Sequence, residues 1–205
     1  MAAAASHNPL VQIATAYVNY IDTLFSKSNY TIEYPDLTKP TEDRLYRFEL
    51  KHNSTYVGVI VIAPFLGEGE GANRPGPKET RITNVLHIHT LAIDNPKYRR
   101  KGLATILILY SICCCYLIND EFAYVTLDDT TDSGVDIYEK LGFMPLNNTN
   151  KQAPEKYTKI SELIGVTCRA KLQEMQALSN AKMNAGTRKT RRYRKKQRKT
   201  RRYRR

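Results

Sequence analysis

The sequence predicts a protein of the α/β class, or α+β with a mixed sheet, in which one domain precedes a basic tail. Its length of 205 residues suits a single domain with a sizeable core. Its apolar pattern predicts a helix, several strands, and then strand, helix, strand and helix, an order typical of a mixed sheet flanked by helices. Its charge is uneven. Residues 188–205 hold thirteen Lys or Arg and no acidic residue, so the rest of the chain is near −1 although the whole is +12.

The first half of the chain predicts one helix and three strands. Residues 10–26 place apolar side chains at helical spacing, which indicates an amphipathic helix. The polar stretch 51–54 is typical of a hairpin turn between the second and third strands. Residues 66–80 are rich in Gly, Pro and Glu, so we expect a surface loop there. The three strands are expected at 30–34, 44–50 and 55–63.

The second half predicts a strand, a helix, a strand and two further helices. They are expected at 84–94, 103–118, 122–128, 132–143 and 159–178. The first of the two last helices should begin at Asp132 or Ser133, which are good N-cap residues, and end at Gly142. Beyond Ser179 the chain lacks the apolar residues of a core, so we expect a disordered tail.

The cysteines and the hydropathy pattern favour an intracellular protein that does not contact a membrane. Three of the four cysteines are adjacent, at 113–115, and no pair has the spacing of zinc ligands, so we expect reduced, buried thiols and no metal. The N-terminus lacks the basic region and long apolar core of a secretory signal. The longest apolar run, 103–118, has 16 residues, whereas a membrane span needs about 20. A buried helix is therefore expected.

The segment 95–110, NPKYRRKGLATILILY, crowds cations and a glycine at the start of this helix. The unpaired N–H groups of a helix's first turn, together with its dipole, form an anion site. Gly102 lets a phosphate approach the backbone closely because it has no Cβ, and the small side chain of Ala104 adds little bulk to the same surface. These residues alone fit two interpretations equally. One is a site for a diphosphate-bearing ligand, and the other is a surface loop with three solvated cations.

A wider stretch of the chain resembles the GNAT superfamily of acetyl-coenzyme A-dependent N-acyltransferases. The signature of that superfamily is a strand, the motif [QR]-x-x-G-x-[GA] opening a helix, a second strand, and a helix ending in Tyr-x-x-x-Gly-Phe. The matching residues are Arg99, Gly102 and Ala104 in the first motif and Tyr138, Gly142 and Phe143 in the second. The resemblance covers about 60 residues within 84–146. It implies a GNAT-like domain at 1–180, with a mostly antiparallel central sheet, and a tail at 181–205.

The resemblance also implies acetyl-CoA as the acetyl donor. Backbone N–H groups from Arg100 to Thr105 would hold the pyrophosphate, and the backbone of Leu91 and Ile93 would run beside the pantetheine arm. The N–H of Ile93 would face the thioester carbonyl, and Tyr138 would protonate the leaving thiolate as general acid. The amine would attack directly, without a covalent enzyme intermediate. The coenzyme-binding residues implied on the strand, loop, helix start and second motif are Leu91, Ile93, Arg99, Arg100, Lys101, Gly102, Leu103, Ala104, Thr105 and Tyr138.

Two features depart from the family's pattern. Many members have an Asn near the start of the second motif helix that touches the coenzyme. Here the neighbourhood is DDTTDSG, so Thr131 or Ser133 would have to substitute. Many members also end in a strand hairpin after Gly-Phe. Here the polar stretch 147–159 leads into the expected final helix, so we expect an unusual acceptor side.

The general base is left open by the sequence. Either His89 or His87 is able to relay a proton near neutral pH, and the alternative is a pair of histidines packed on the sheet. Glu49 and Asp128 are weaker candidates, and Tyr138 has its own alternative as a core aromatic. Strand alternation predicts one face with His87, His89, Leu91 and Ile93 and another with Leu86, Ile88, Thr90 and Ala92.

The tail repeats KTRRYR at 189–194 and 199–204. Cations interleaved with tyrosines suit nucleic acid, and the same feature suits nuclear targeting. The alternative is a solvated tail that binds any polyanion. The tail also weakly resembles those on proteins of large DNA viruses, which is compatible with a viral protein in an infected cell.

Two functions follow from these features. The first is an N-acetyltransferase, cytoplasmic or nuclear, that acts on an amine of a protein or a small molecule and whose tail, 188–205, associates with nucleic acid or targets the nucleus. The alternative is a catalytically inactive GNAT-like basic protein that binds or packages nucleic acid.

Overall fold

The computed structural model describes residues 8–37, 45–65, 84–128, 137–145 and 155–177. The chain divides into two compact units, Met1–Arg169 and Ala170–Arg205. Several sequence predictions lie outside the described residues. They are the loop at 66–80, Thr131, the N-cap residues Asp132 and Ser133, and the tail at 181–205.

A seven-stranded sheet forms the centre of the first unit. Its strands are β1 (Tyr30–Glu33), β2 (Tyr46–His52), β3 (Thr55–Phe65), β4 (Val85–Ile93), β5 (Tyr124–Asp128), β6 (Met144–Pro145) and β7 (Glu155–Lys159). The order is β1-β2-β3-β4-β5-β7-β6. The β4–β5 pair is parallel and the five other neighbouring pairs are antiparallel. This mixed, mostly antiparallel sheet confirms the predicted fold class.

The helices lie close to their predicted positions. They are α1 (Pro9–Ser26), α2 (Leu103–Ile118), α3 (Ile137–Lys140) and α4 (Ile160–Glu162), and α4 continues as a π-helical segment, Leu163–Cys168. Residues 169–177 are again α-helical. In α1, the side chain of Asn8 accepts a hydrogen bond from the N–H of Leu10, 3.0 Å away, and Pro9 occupies the first turn, as expected for a helix start.

Helix α2 is buried on nearly every side, which explains why its sequence is apolar all round. Among the described helices, none combines the length and apolar character that a transmembrane segment requires. The four cysteines are free and buried, as predicted. Burial raises the pKa of the Cys114 thiol to about 12. The described residues contain no cluster of His, Cys, Asp or Glu suited to a metal ion.

The hairpin between β2 and β3 is tighter than predicted. Its two-residue turn consists of Asn53, with φ of 49°, and Ser54, with φ of 62°. Positive φ at both positions is the requirement of a type I′ turn, whose twist matches that of the flanking strands. The strands therefore extend into the stretch that the sequence assigned to the turn.

The prediction that no strand hairpin follows Gly142-Phe143 is wrong. Residues 155–159 form β7, which pairs with β5 on one side and with β6 on the other. The polar sequence EKYTK has a weak strand signal, and its pairing with β5 decides its conformation, because strand propensity depends on context. The final helix accordingly begins at Ile160.

The two faces of the sheet differ in burial. One face, called the helix face here, is covered by α2: the ring of Tyr34 contacts both Phe48 of the sheet and Tyr110 of α2. Its buried members, which cross-strand pairing places together, are Phe48, Leu50, Ile60, Ile62, Leu86, Ile88, Val125 and Leu127. The other, called the opposite face, carries Val61, Ala63, His87, Thr90, Ala92, Thr126 and Tyr157.

Candidate active site

A cleft opens between the two parallel strands of the sheet. Strand β4 pairs with β5 from Val85 to Ile88, opposite residues 124–127. Beyond Ile88, the described part of the chain pairs residues 90–93 of β4 with β3 alone. Among the described residues, the second half of β4 therefore has no strand partner on its β5 side, and this unpaired stretch is called the bare edge here.

A β-bulge lies where the cleft begins. Across β3, Ile62 pairs with Ile88 and Val61 pairs with Thr90, so His89 is an extra residue in β4. A bulge inserts one residue into a strand, bends it and strengthens its local twist. The coincidence of the bulge with the last β4–β5 pair explains why the two strands separate at this point.

The bulge overturns the predicted faces of β4. Leu91 and Ile93 lie on the helix face, whereas His87 lies on the opposite face with Thr90 and Ala92. The prediction that His87 shares a face with Leu91 and Ile93 is therefore wrong. Alternation assumes a strict period of two, and a single inserted residue reverses the side on which every later side chain lies.

The bare edge of β4 aims backbone donors into the cleft. The N–H of Asp94 donates to the carbonyl of Val57 over 3.1 Å, so this pair is hydrogen-bonded across β3 and β4. In an antiparallel ladder the bonded pairs alternate with pairs whose N–H and C=O groups point away. By this alternation, the N–H groups of Ile93 and Leu91 point away from β3 and into the cleft.

The start of α2 lies beyond the end of this strand and is shaped to hold an anion. The first intrahelical hydrogen bond runs from the N–H of Ile106 to the carbonyl of Gly102, over 3.1 Å. The N–H groups of residues 103–105 therefore point out of the helix end. Gly102 gives no side-chain cap, and the first turn contains no acidic residue to offset the dipole. Gly102 has φ of 75°, and a Cβ added there would meet nothing within 4 Å.

The three cations of the loop have different environments. Arg99 turns back onto the strand, where its Nε lies 2.9 Å from the carbonyl oxygen of Ile93 and its Nη2 lies 3.3 Å from that of Asp94. Lys101 places its Nζ 5.3 Å from the centre of the buried Tyr98 ring. Arg100 is exposed, with φ of 59°. All three cations are exposed, and two of them also make specific contacts.

Tyr138 lies on α3, on the helix-face side of the cleft. The N–H of Phe143 donates to the carbonyl of Tyr138, and the N–H of Gly142 donates to that of Glu139, each over 2.9 Å. With φ of 84° at Gly142, these bonds form the Schellman motif and confirm that the helix ends at this glycine. The Tyr138 ring is buried and contacts Phe143 edge-on, 5.7 Å between ring centres.

Sequence reasoning missed one charged residue beside Tyr138. Lys156 of β7 places its Nζ 5.9 Å from the centre of the Tyr138 ring and 3.8 Å from a carboxylate oxygen of Glu139. No signal in the sequence indicated this contact, because the strand that carries Lys156 was itself not predicted.

The candidate bases lie around the bulge and on the opposite face. His87 places its Nδ1 2.9 Å from the hydroxyl of Thr126, and burial lowers the pKa of His87, an effect that the nearby His89 adds to and Asp128 opposes. His89 is exposed at the bulge, with its Nδ1 3.3 Å from the hydroxyl of Thr90. Glu49 is paired with Arg47, two strands away from β4.

Comparison with known proteins matches the chain to one family. The sequence model of the acetyltransferase (GNAT) family matches residues 13–143, more than half of the chain. No curated protein sequence matches it. Among solved structures, a bacterial toxin is 12% identical with a TM-score of 0.50, and the match covers 67% of this chain and 94% of that one. This likeness supports the fold.

Two further solved structures are similar at lower scores. A single-site mutant of the AtaT toxin, bound to the C-terminus of the antitoxin AtaR and acetyl-CoA, is 13% identical with a TM-score of 0.48, over 66% of this chain and 96% of that one. The PaiA N-acetyltransferase of Thermoplasma acidophilum, in complex with coenzyme A, is 17% identical with a TM-score of 0.41, over 56% of this chain and 60% of that one.

Proposed function

Because the chain belongs to the acetyltransferase (GNAT) family, we propose that it transfers an acetyl group from acetyl-CoA to an amine. The observation that carries the proposal is the meeting of the bare β4 edge with the uncapped start of α2. One supplies donors for an extended, amide-containing arm, and the other supplies donors for a diphosphate. These are the two chemical parts of coenzyme A that any such enzyme has to hold.

The loop and the first turn of α2 are the proposed pyrophosphate site. The backbone N–H groups from Arg100 to Thr105 hold the phosphates, and Gly102 leaves the approach open. Lys101 adds positive charge nearby. Arg99 holds the loop against the strand end, because its guanidinium donates hydrogen bonds to the carbonyls of Ile93 and Asp94.

The bare edge of β4 is the proposed pantetheine site. Ile93 lies next to the phosphate loop, since Arg99 bridges the two. The pantetheine arm contains two amides and is as long as several residues of extended chain, so its thioester reaches deeper than Ile93. The next N–H group of β4 that points into the cleft, nearer the bulge, belongs to Leu91. It therefore fits the role of oxyanion donor better than the N–H of Ile93 does.

The chemical step is direct attack. The amine nitrogen bonds to the thioester carbon, the carbon–sulfur bond breaks with its electron pair leaving on sulfur, and the hydroxyl of Tyr138 donates a proton to that sulfur. The attacking amine must first be neutral, and its nitrogen loses one further proton to a base as the amide forms, which balances the proton that Tyr138 gives to sulfur. His89 is the proposed base, because the bulge presents it to solvent at the closed end of the cleft.

Further parts of the proposal lie outside the described residues. Thr131 or Ser133 replaces the family's coenzyme-contacting Asn, and the catalytic domain spans 1–180. The tail at 188–205 associates with nucleic acid or directs the protein to the nucleus, so the enzyme acts inside the cell, in the cytoplasm or nucleus. The supporting observation is the run of thirteen cations without an acid.

The competing proposal is an inactive member of the family whose function is polyanion binding through the tail. The test is release of free thiol from acetyl-CoA with a panel of amines: a polyamine, an aminoglycoside, a lysine peptide and a peptide with a free N-terminus. We expect turnover with one of these classes and a loss of about 10²-fold or more in Tyr138→Phe, as for removal of a general acid. A protein that binds acetyl-CoA, turns over none of the amines and retains nucleic-acid binding would support the inactive alternative.

A further inference from the structure

We propose that His52 and Tyr98 are positioning residues of the coenzyme site, and that the hydrogen bond between them holds the loop of residues 99–102 in the conformation that binds the pyrophosphate. The inference rests on the proposed function, because it concerns the loop that is proposed to bind acetyl-CoA. It gives a role in coenzyme binding to the end of the β2–β3 hairpin, 46 residues earlier in the chain.

The loop is short and is anchored at both ends. Tyr98, which closes the turn after β4, and Leu103, the first residue of α2, are both buried, whereas residues 99–102 between them are exposed. Four residues between two fixed points have few conformations available, so the positions of the anchors decide the path of the loop. A loop that is held in its binding conformation before the ligand arrives loses less entropy on binding. Tyr98 is the anchor on the strand side.

The backbone of this loop adopts a conformation that needs support from its surroundings. Arg100 has φ of 59° and Gly102 has φ of 75°. Glycine adopts positive φ readily, but arginine does so rarely. Such a residue persists in this conformation where neighbouring contacts enforce it. Arg99 supplies one of these contacts through its hydrogen bonds to the end of β4, and Tyr98 supplies another.

The hydroxyl of Tyr98 connects the loop to the end of β2. It lies 3.0 Å from the Nδ1 of His52, and the two ring centres are 5.5 Å apart. The side-chain nitrogen of Asn53 lies 3.4 Å from the same Nδ1. Since a hydroxyl and an amide nitrogen are both able to donate, a neutral imidazole that accepts at Nδ1 satisfies both neighbours.

His52 is itself held by contacts from several elements. It is the last residue of β2 and adjoins the type I′ turn. Its ring centre lies 4.5 Å from that of Tyr30 on β1, and the Tyr30 ring lies 5.3 Å from that of Phe25 on α1. The N–H of Asn53 donates to the carbonyl of Asn29, over 2.9 Å, which joins the hairpin to the turn between α1 and β1. His52 therefore provides a fixed point for the Tyr98 hydroxyl.

The ring of Tyr98 also positions charge. The Nζ atoms of Lys97 and Lys101 lie 5.6 Å and 5.3 Å from its centre, within the range in which an aromatic face attracts a cation. Lys101 belongs to the loop, so a shift of the ring moves the backbone donors and this ammonium together. Loss of the hydrogen bond to His52 should therefore weaken the binding of the phosphates.

The test is acetyl-CoA calorimetry on variants of the full chain. Tyr98→Phe keeps the ring and removes the hydroxyl, and His52→Leu removes the acceptor. We expect each to lower the affinity about fivefold. The double variant should also lose about fivefold, because both changes remove the same bond. His52→Asn has a side-chain oxygen at the same number of bonds from the backbone as Nδ1, and it should stay within about twofold of the wild type.

A second tyrosine provides the control. The hydroxyl of Tyr110, which is buried on α2, donates to a carboxylate oxygen of Asp22 on α1, over 2.8 Å. Tyr110→Phe also removes a hydrogen bond between elements distant in sequence, but away from the loop. It should lower the midpoint of urea denaturation at least as much as Tyr98→Phe does, and it should leave the affinity for acetyl-CoA unchanged. The same denaturation curves establish that each variant is folded.

The outcomes distinguish this inference from the proposed function. If Tyr98→Phe is less stable but binds acetyl-CoA as tightly as the wild type, the pair is only structural, and the inference is wrong while the proposed function stands. Losses that multiply in the double variant, or an equal loss of affinity in Tyr110→Phe, would overturn the inference in the same way. If the folded wild type does not bind acetyl-CoA, both are wrong.

Discussion

The two halves of β4 belong to one nine-residue strand but differ in their hydrogen bonding and burial. From Val85 to Ile88 the strand is hydrogen-bonded to β3 and β5, and three of those four side chains are buried. From residue 90 to Ile93 it is bonded to β3, and its side chains are half-buried or exposed. Among the described residues, the first half is paired on both of its edges and the second half on one, and the proposed function uses the unpaired edge. One inserted residue, His89, separates the two.

The largest expected effect comes from removing that inserted residue. Deletion of His89 restores strict alternation, so the second half either turns Leu91 and Ile93 away from the helix face or shifts its pairing with β3. We expect the free energy of unfolding to fall by about 3 kcal/mol or more, measured by urea denaturation. His89→Ala, which keeps the bulge, is the control and should stay within about 0.5 kcal/mol of the wild type. Equal stability of the deletion and the wild type would contradict the role given to the bulge.

Alanine substitutions in the two halves of β4 test their different contributions to stability. Ile88→Ala leaves a cavity in the buried half and should lower the free energy of unfolding by about 3 kcal/mol. Leu91→Ala acts on a half-buried side chain and should cost about 1 kcal/mol. Urea denaturation of both variants checks the order, and a larger loss for Leu91→Ala would show that the second half carries the stability.

The contact between the strand and the loop provides the next test. Arg99→Met removes the hydrogen bonds to the carbonyls of Ile93 and Asp94. We expect acetyl-CoA affinity to fall about tenfold with little change in stability, because the loop loses its tie to the strand end. Arg100→Met removes the neighbouring charge but not these bonds, and should weaken binding less. If the two variants behave alike in calorimetry, Arg99 acts through its charge alone.

The smallest effect concerns pH. Burial holds the pKa of His87 below its ordinary value of 6.5. The unfolded chain therefore binds more protons than the folded one at mildly acidic pH, so stability falls as pH drops through 6.5 and levels off once the folded state is also protonated. We expect His87→Asn to flatten this part of the curve, measured as the free energy of unfolding between pH 5 and pH 7.5. An unchanged slope would exclude His87 as its source.

The contrast within β4 also explains which features the sequence was able to predict. Helices α1 and α2 were predicted within one residue, because helical periodicity and capping are local signals. The same holds for the turn at Gly142, where only a residue without Cβ adopts the required φ at low cost. The motif around Gly102 predicts an anion site from local signals of the same kind, and that site stays a prediction.

The features that the sequence did not predict depend on residues that are distant in sequence. The bulge at His89 exists only as a mismatch between β3 and β4, and a single strand's pattern does not reveal it. Strand β7 is decided by pairing with β5, and the contact of Lys156 with Tyr138 follows from that pairing. The position of the Arg99 side chain likewise depends on where the end of β4 lies in space.

The most direct test of the proposed coenzyme site uses one position at the start of α2. Gly102 has a positive φ and open space around its Cβ position, so Asp and Asn, which tolerate this conformation better than most residues, should both fold there. They are nearly equal in size, but Asp places a negative charge where the pyrophosphate is proposed to lie. In acetyl-CoA calorimetry we expect the wild type to bind, Gly102→Asn to bind several-fold more weakly, and Gly102→Asp to lose binding by about 10²-fold relative to Asn. Equal affinity of the Asp and Asn variants, or no binding by the folded wild type, would show that the pyrophosphate does not bind at the start of α2.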